Sequence, residues 1–458
     1  MEIKNNIIES VIKEKDVSEK SLHSFDELLQ WINHRNKTIE VSLTKISLKD
    51  CEPWYYNSEE GCIRNEKGSF FKIFGMRQLD KNVTIVEQPI ILQNEIGFLG
   101  IIASKINGVW HYLMQAKIEP GNVNVVQLSP TLQATKSNFT GMHGGSIPKY
   151  LEMFLNATPE KTIVDQIQSE QSSRFYKKRN RNVIITSDTI LKETDSHRWM
   201  TLAQIKQFMK IDNLVNMDTR TVLSCIPYSL MGQDADVPFK DKPYFYKTAW
   251  NMNRGTIVEL YNRINNYKML SDIKTELVPL YEMNNWSMKE KEFSDGYISP
   301  FHIIFCDIVI EGREVSHWKQ PLFASNGKAD FGLFCCDDEG VLKFLVSVKP
   351  EPGCFDGVEI GPTIQKEYNS RVKNDIEKLY LEKLSKKDGV LVDTILSEEG
   401  GRFYQEENRN SIILVNKNEI DINNTGYIWS DYGTLNILTQ VNNCLNIQLR
   451  NLLSLIEI

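Results

Sequence analysis

From Val109 to Lys117 the side chains alternate. An extended chain there sets Trp110, Tyr112, Met114 and Ala116 on one face and His111, Leu113, Gln115 and Lys117 on the other, the period-two signature of a β-strand. The same alternation returns downstream, with Leu342, Phe344, Val346 and Val348 on one face and Lys343, Leu345, Ser347 and Lys349 on the other. The first face predicts core in both stretches. The second is more polar and predicts solvent or a pocket, and Glu119 and Glu351 join it if the chain stays extended. Ser69–Gln78 and Val83–Pro89 also read as strands. Ser24 followed by Glu27 is a capping box that opens a helix through Leu28, Leu29, Trp31 and Ile32. Ser146 and Pro148 suit the start of a helix through Tyr150, Leu151 and Phe154. Helices are further expected at Gly255–Leu270 and Lys373–Leu384, and opening at Trp199 and Trp429, ending near Arg220 and Arg450. The final segment, with Val441, Leu445, Leu449, Leu452, Leu453 and Ile456, predicts an amphipathic helix that docks between two halves or serves a dimer interface.

The two alternating stretches belong to a longer repeat. Residues 87–134 and 319–366 align without a gap, 232 residues apart (320 − 88), matching at Gln88/Gln320, Pro89/Pro321, Gly100/Gly332, Lys117/Lys349, Glu119/Glu351, Pro120/Pro352, Gly121/Gly353, Pro130/Pro362, Thr131/Thr363 and Gln133/Gln365. Trp54 and Trp286 keep the same spacing, while Arg174-Phe-Tyr176 and Arg402-Phe-Tyr404 match at 228 (402 − 174). Repetition on this scale is an internal duplication. It predicts two α+β units packed about a pseudo-twofold: a first repeat over 1–225, a linker with a connecting helix over 226–274, and a second repeat over 275–458.

Composition narrows the class. The chain has 458 residues, 41% of them apolar and 25% charged, as in soluble globular proteins. A net charge of −7 argues against a general nucleic-acid binder. No stretch approaches the roughly 20 apolar residues that span a bilayer, and the N-terminus lacks a secretory leader pattern. The eight cysteines are scattered without a CxxC, which predicts reduced, buried thiols in a cytoplasmic protein. Metal-site spacings, GxGxxG, GxxxxGK[ST] and GxSxG are all missing, so no metal, nucleotide cofactor or serine nucleophile has motif support.

Lys117-x-Glu119-Pro-Gly121 is the sharpest local feature. A cation and a carboxylate on one strand face can polarise a carbonyl and move a proton, although a surface ion pair beside a turn has the same spelling. The run Lys177-Lys-Arg-x-Arg181 is basic where the second repeat has Gln405-Glu-Glu407, so Lys178, Arg179 and Arg181 are candidates for a diphosphate. His143 sits in a glycine-rich loop with no equivalent in the second repeat and is a candidate proton shuttle.

The stretches EQPIILQNEIGFLGI, LMQAKIEPGNVNVVQLSPTLQATKSNFT, SRFYKKRNRN and VNMDTRTVLSC, with REVSHWKQP and PEPGCFDGVEIGPTIQ in the second half, resemble the NDP-hexose 2,3-dehydratases. Phe139 stands where that family's pattern has Tyr. The resemblance covers about residues 25 to 455. It implies two tandem Nudix-like α/β/α-sandwich repeats, a homodimer and a nucleotide-sugar pocket in each repeat, only one of them catalytic. It also implies a dTDP-linked 4-keto-6-deoxyhexose as substrate, no cofactor, and a downstream 3-ketoreductase acting on the product. Ser397-Glu-Glu-Gly-Gly401 is the nearest imitation of a Nudix metal motif and lacks its upstream Arg-Glu.

On that reading Lys117, Glu119 and His143 are the expected catalytic set. Trp54, Gln88, Gln115, Gln133, Thr135, Ser137 and Arg174 join the three basic residues in binding substrate, with Trp54 or Phe175 stacking on the base. Trp286, Gln320, Lys349, Glu351, Thr363, Gln365, Arg402 and Arg409 line the second pocket. A nucleotide-sugar-binding protein without turnover and a metal-dependent nucleotide-sugar hydrolase are the competing readings.

Overall fold

Lys274–Val278 lies at the expected start of the second repeat, yet it pairs antiparallel with Lys72–Asp80 of the first, placing Val278 opposite Gly75. The exchange is mutual: Val41–Ile46, at the front of the first repeat, pairs antiparallel with Phe301–Ile310 of the second, Ile46 opposite Phe305. The computed structural model describes residues 20–68, 70–135, 148–230, 243–311, 315–423 and 425–456.

Four sheets result, two from each repeat. In the first repeat, one sheet carries Trp54–Asn57, Cys62–Asn65, Lys72–Asp80, Val83–Leu92 and the short strand Phe175–Tyr176. The other runs Thr162–Ser169, Arg179–Thr186, Gly97–Ile106, Val109–Ile118 and His197–Thr201, with Arg179–Thr186 parallel to Gly97–Ile106. The second repeat reproduces both, down to the parallel pair Asp330–Asp338 and Glu407–Leu414. The architecture is therefore α+β with an internal duplication.

Local signals explain the elements. Ser24 caps Phe25–Thr38 with the expected reciprocal box to Glu27, and the long helix Arg254–Leu270 is capped by Asn253. In Val109–Ile118 the predicted core face is core: Trp110, Tyr112, Met114 and Ala116 all enter the largest apolar cluster. The opposite face is not polar throughout, because His111 and Leu113 are fully buried; only its Gln115–Lys117 end opens. Trp199 and Trp429 correct their expectation. They lie within the strands His197–Thr201 and Tyr427–Asp431, and the helices begin after them at Leu202 and Tyr432. The final helix is Ile447–Leu455. It is buried on every side against Met217–Ser224 of the first repeat, so it docks between the repeats.

Trp54 and Trp286 belong to one aromatic core at the junction of the repeats, with Phe71, Phe175, Phe301, Phe323 and Phe403. The rings of Phe175 and Phe403 meet edge to face at 5.7 Å. Side chains of this size each contribute about 1.5–3 kcal/mol on burial, so this core ties the halves into one unit. All eight cysteines are free and buried. Among the described residues no helix is long and apolar enough to cross a membrane.

Candidate active site

The Glu-Pro-Gly turn that ends Val109–Ile118 is clamped by the other repeat. Gly121 N–H donates to the Gly400 carbonyl at 2.8 Å, and Gln405 N–H donates to the Gly121 carbonyl at 2.7 Å. The symmetric clamp joins Gly353 to Ser172 and Lys177, both at 2.8 Å. A Cβ on Gly121 would lie 1.6 Å from the Phe403 carbonyl oxygen, and one on Gly353 1.9 Å from that of Phe175. This close approach accounts for the repeated glycine. It also means that each Lys-x-Glu turn faces a loop of the opposite repeat.

At the first turn, Lys117 Nζ donates to Glu119 Oε1 at 2.8 Å, and Gln133 Nε2 reaches the same oxygen at 3.3 Å. Asn216, the cap of Met217–Ser224, supports Gln133 directly and through Ser129. The opposing loop brings Glu399. Its carboxylate and that of Glu119 converge on Gly401: a Cβ there would lie 2.7 Å from Glu399 Oε1 and 3.4 Å from Glu119 Oε1. Burial, then repulsion from Glu119, raises the pKa of Glu399 against the pull of Arg402, Lys117 and Lys178. Asp218 is buried beside them, and its carboxyl is pushed well up by burial and by Glu399, Glu170 and Glu119. Two cations complete the surroundings. Lys178 donates to the Glu95 carbonyl at 2.7 Å, and burial lowers its pKa to about 8. Arg402 donates to the Gly401 carbonyl and to Gln93 and lies over Phe71. Among the described residues no carboxylate lies within ion-pair distance of Arg402.

The second turn uses the same frame differently. Glu351 accepts from Gln365 at 2.8 Å and from Asn446 at 3.4 Å, while no ion pair within 4.0 Å joins it to Lys349 among the described residues. Burial lowers the pKa of Lys349 to about 8 and raises that of Glu351 to about 7. Where the first cluster has Glu399, Gly401, Asp218 and Lys178, the second has Gln171, Ser173, Gln448 and Glu406. Arg174, the counterpart of Arg402, is paired with Glu367 at 3.0 Å and lies 3.8 Å from Glu406.

Several expected site residues go elsewhere. Arg174 belongs to the second cluster and Arg402 to the first, because the loops cross between repeats. Trp54, Trp286 and Phe175 are sealed in the aromatic core and present no face to a base. Arg181 and Arg409 are held bidentate by Asp165 and Asp393 on adjacent strands. Arg179 stacks on Phe355 at 3.8 Å. Gln88 and Gln320 donate to the carbonyls of Ser173 and Gly401, anchoring the two loops. Thr363 bridges the Leu345 carbonyl and the Phe334 N–H inside its sheet. Gln115 and Thr135 are both partly exposed. Ser137 and His143 lie outside the described residues. The sequence motifs single out neither Glu399 nor Asp218 as a candidate, although Glu399 lies in Ser397-Glu-Glu-Gly-Gly401.

Comparison with known proteins adds chemistry to this geometry. A family model described as NDP-hexose 2,3-dehydratase matches residues 25–226 and 258–456. A dTDP-4-dehydro-6-deoxy-alpha-D-glucopyranose 2,3-dehydratase of Saccharopolyspora spinosa is 34% identical over 435 residues, 93% of this chain and 89% of that protein. Proteins of the same description from Streptomyces violaceoruber and Amycolatopsis orientalis are each 32% identical, over 93% and 94% of this chain and 96% and 90% of their own lengths.

Proposed function

Because the chain belongs to the NDP-hexose 2,3-dehydratase family, we propose that the cluster around Lys117 and Glu119 is where it dehydrates its sugar. The chain catalyses 2,3-dehydration of a dTDP-linked 4-keto-6-deoxyhexose. The C4 ketone acidifies the proton on C3. Glu119 takes that proton, and Lys117 holds the developing enolate oxygen. Loss of the C2 hydroxyl as water leaves a C2=C3 enol, which gains a proton at C2 and becomes the 3,4-diketone of a 2,6-dideoxyhexose. Gln133, Gln115 and Thr135 face the sugar. Lys178, with Arg402 in place of the other expected basic residues, faces the diphosphate. His143 stays a candidate for the remaining proton transfer.

The observation that carries the choice of site is the formed Lys117–Glu119 pair at 2.8 Å, set against the separated Lys349 and Glu351. The second site, whose arginine is already neutralised, is read as a relic of the duplication. The repeats are read as Nudix-like sandwiches that kept a scaffold and not its metal chemistry. A cytoplasmic homodimer handing a reactive diketone to a 3-ketoreductase completes the proposal. The test is incubation with dTDP-4-keto-6-deoxyglucose in D₂O, with and without a chelator. Deuterium at C2 with loss of water in both samples is expected. Metal-dependent release of a nucleotide monophosphate, or binding without turnover, would return the question to the hydrolase or the binding protein.

A further inference from the structure

We infer that Glu399, supplied by the second repeat, is a catalytic residue of the first repeat's site and donates the proton that lets the C2 hydroxyl leave. The inference rests on the dehydratase reading above. Three observations lead to it. The Glu399 and Glu119 carboxylates approach one point in front of Gly401. The opposite cluster, otherwise built on the same frame, has Gln171 where this one has Glu399 and Ser173 where this one has Gly401. Lys117 pairs with Glu119 at 2.8 Å, which holds that carboxylate in the form a base needs and leaves Glu399 the other role.

The chemistry asks for such a neighbour. In a glucose-configured ring the C3 hydrogen and the C2 oxygen are gauche and lie toward the same side, so a base and an acid a few ångströms apart can serve both. Glu119 removes the C3 proton, and the electron pair moves into C3=C4 as the C4 oxygen gains charge beside Lys117. The pair then returns to form C2=C3 as C4=O is restored. The C2–O bond breaks, the oxygen takes the Glu399 proton, and water departs. The enol loses its O3 proton and gains one at C2, and exchange with solvent resets both carboxyls. An acid of this kind must hold its proton near neutrality. Burial and the facing Glu119 push Glu399 that way, while Arg402, Lys117 and Lys178 oppose it without reversing the direction.

The test compares Glu399→Gln, Glu119→Gln and His143→Ala with the wild type. Two substrates are used: dTDP-4-keto-6-deoxyglucose and its 2-deoxy-2-fluoro analogue, whose fluoride leaves without general-acid help. Glu399→Gln is expected to lose water formation by about 100-fold or more, to keep C3–H exchange in D₂O, and to eliminate fluoride within about threefold of the wild type. Glu119→Gln is expected to lose exchange and both eliminations. Affinity for dTDP reports folding, and Glu399→Ala, which also removes the acid, replaces Glu399→Gln if that variant fails to bind. Water loss by Glu399→Gln within about threefold of the wild type would overturn the inference, as would equal loss of fluoride and water, or a fluoride-rescued defect in His143→Ala alone. A wild type that leaves the natural substrate intact would instead overturn the functional reading itself.

Discussion

Arg174 Nη2 lies 3.0 Å from Glu367 Oε2, with the arginine side chain 3% exposed and Glu406 3.8 Å away. The ion pair fills the position that Arg402 occupies, without a carboxylate partner among the described residues, in the first cluster. Removing one member of a buried pair leaves the rest uncompensated, at a cost of about 3–5 kcal/mol. Arg174→Met is therefore expected to lose about that much stability in urea melts. Adding Glu406→Gln should recover part of the loss, because it removes the buried carboxyl left behind. A double-mutant cycle with no coupling would show that the two side chains do not share this site.

Gly121 and Gly353 lock the repeats together by the contact that excludes their Cβ atoms. Gly121→Ala drives a methyl into the Phe403 carbonyl, which belongs to backbone and cannot rotate away. Overpacking of this kind costs about 1–3 kcal/mol where side chains can yield, so the loss here should reach or exceed the top of that range. Differential scanning calorimetry of Gly121→Ala and Gly353→Ala should show similar falls in Tm, since the clamps are symmetric. Gly121→Ala should also depress turnover, because Glu119 rides on its turn.

How much of this was readable beforehand depended on range. Val109–Lys117 declared its core face through a two-residue period, and the duplication declared itself through fixed spacing. The same pattern misjudged His111 and Leu113, because alternation records which faces differ and says nothing of a helix laid over one of them. A helix is expected to open at Trp199 because the five residues His197–Thr201, with two apolar side chains, are too few to show either period. The cross-repeat contacts left no local mark: nothing near Arg174 or Arg402 encodes which turn its loop will meet. Glu399 shows the same limit. Its motif was visible, but its meaning came from Glu119, 280 residues away (399 − 119).

Glu359 offers a pH test. It is buried, accepts from Ser169 at 2.7 Å, and burial raises its pKa to about 8. Glu170 and Glu406 are raised to about 7, also chiefly by burial. For such groups the folded state holds the proton more tightly than the unfolded chain. Their contribution is thus fully present below the unfolded carboxyl pKa of roughly 4.3 and is lost as pH rises through the folded values. Tm should fall between pH 5 and pH 8. The first repeat carries Gln127 at the position of Glu359, so Glu359→Gln should be tolerated. It should gain at least about 1 kcal/mol at pH 8 relative to its effect at pH 5. A Tm difference that does not change with pH would remove Glu359 from the titrating set.

The choice between the two clusters can be decided with their lysines. Lys117 is held against Glu119 beside Glu399, Asp218 and Arg402, where a developing enolate oxygen would find a fixed positive charge. Lys349 is buried, its pKa falls to about 8, its stem packs over Gly361 where the first repeat has Ser129, and its ammonium lies 5.6 Å from the Tyr427 ring centroid. It is unpaired with its own glutamate. Removing a preorganised donor to an oxyanion costs about 100- to 1000-fold in kcat. Lys117→Ala is expected to lose that much, with dTDP affinity little changed because the lysine faces the sugar. Lys349→Ala is expected to stay within about threefold. Steady-state kinetics on the two variants, with dTDP titrations as the control for folding, distinguish the clusters directly. The opposite ranking would move the reaction to the second repeat, where Glu351 and Gln171 would then have to be explained as its acid–base apparatus.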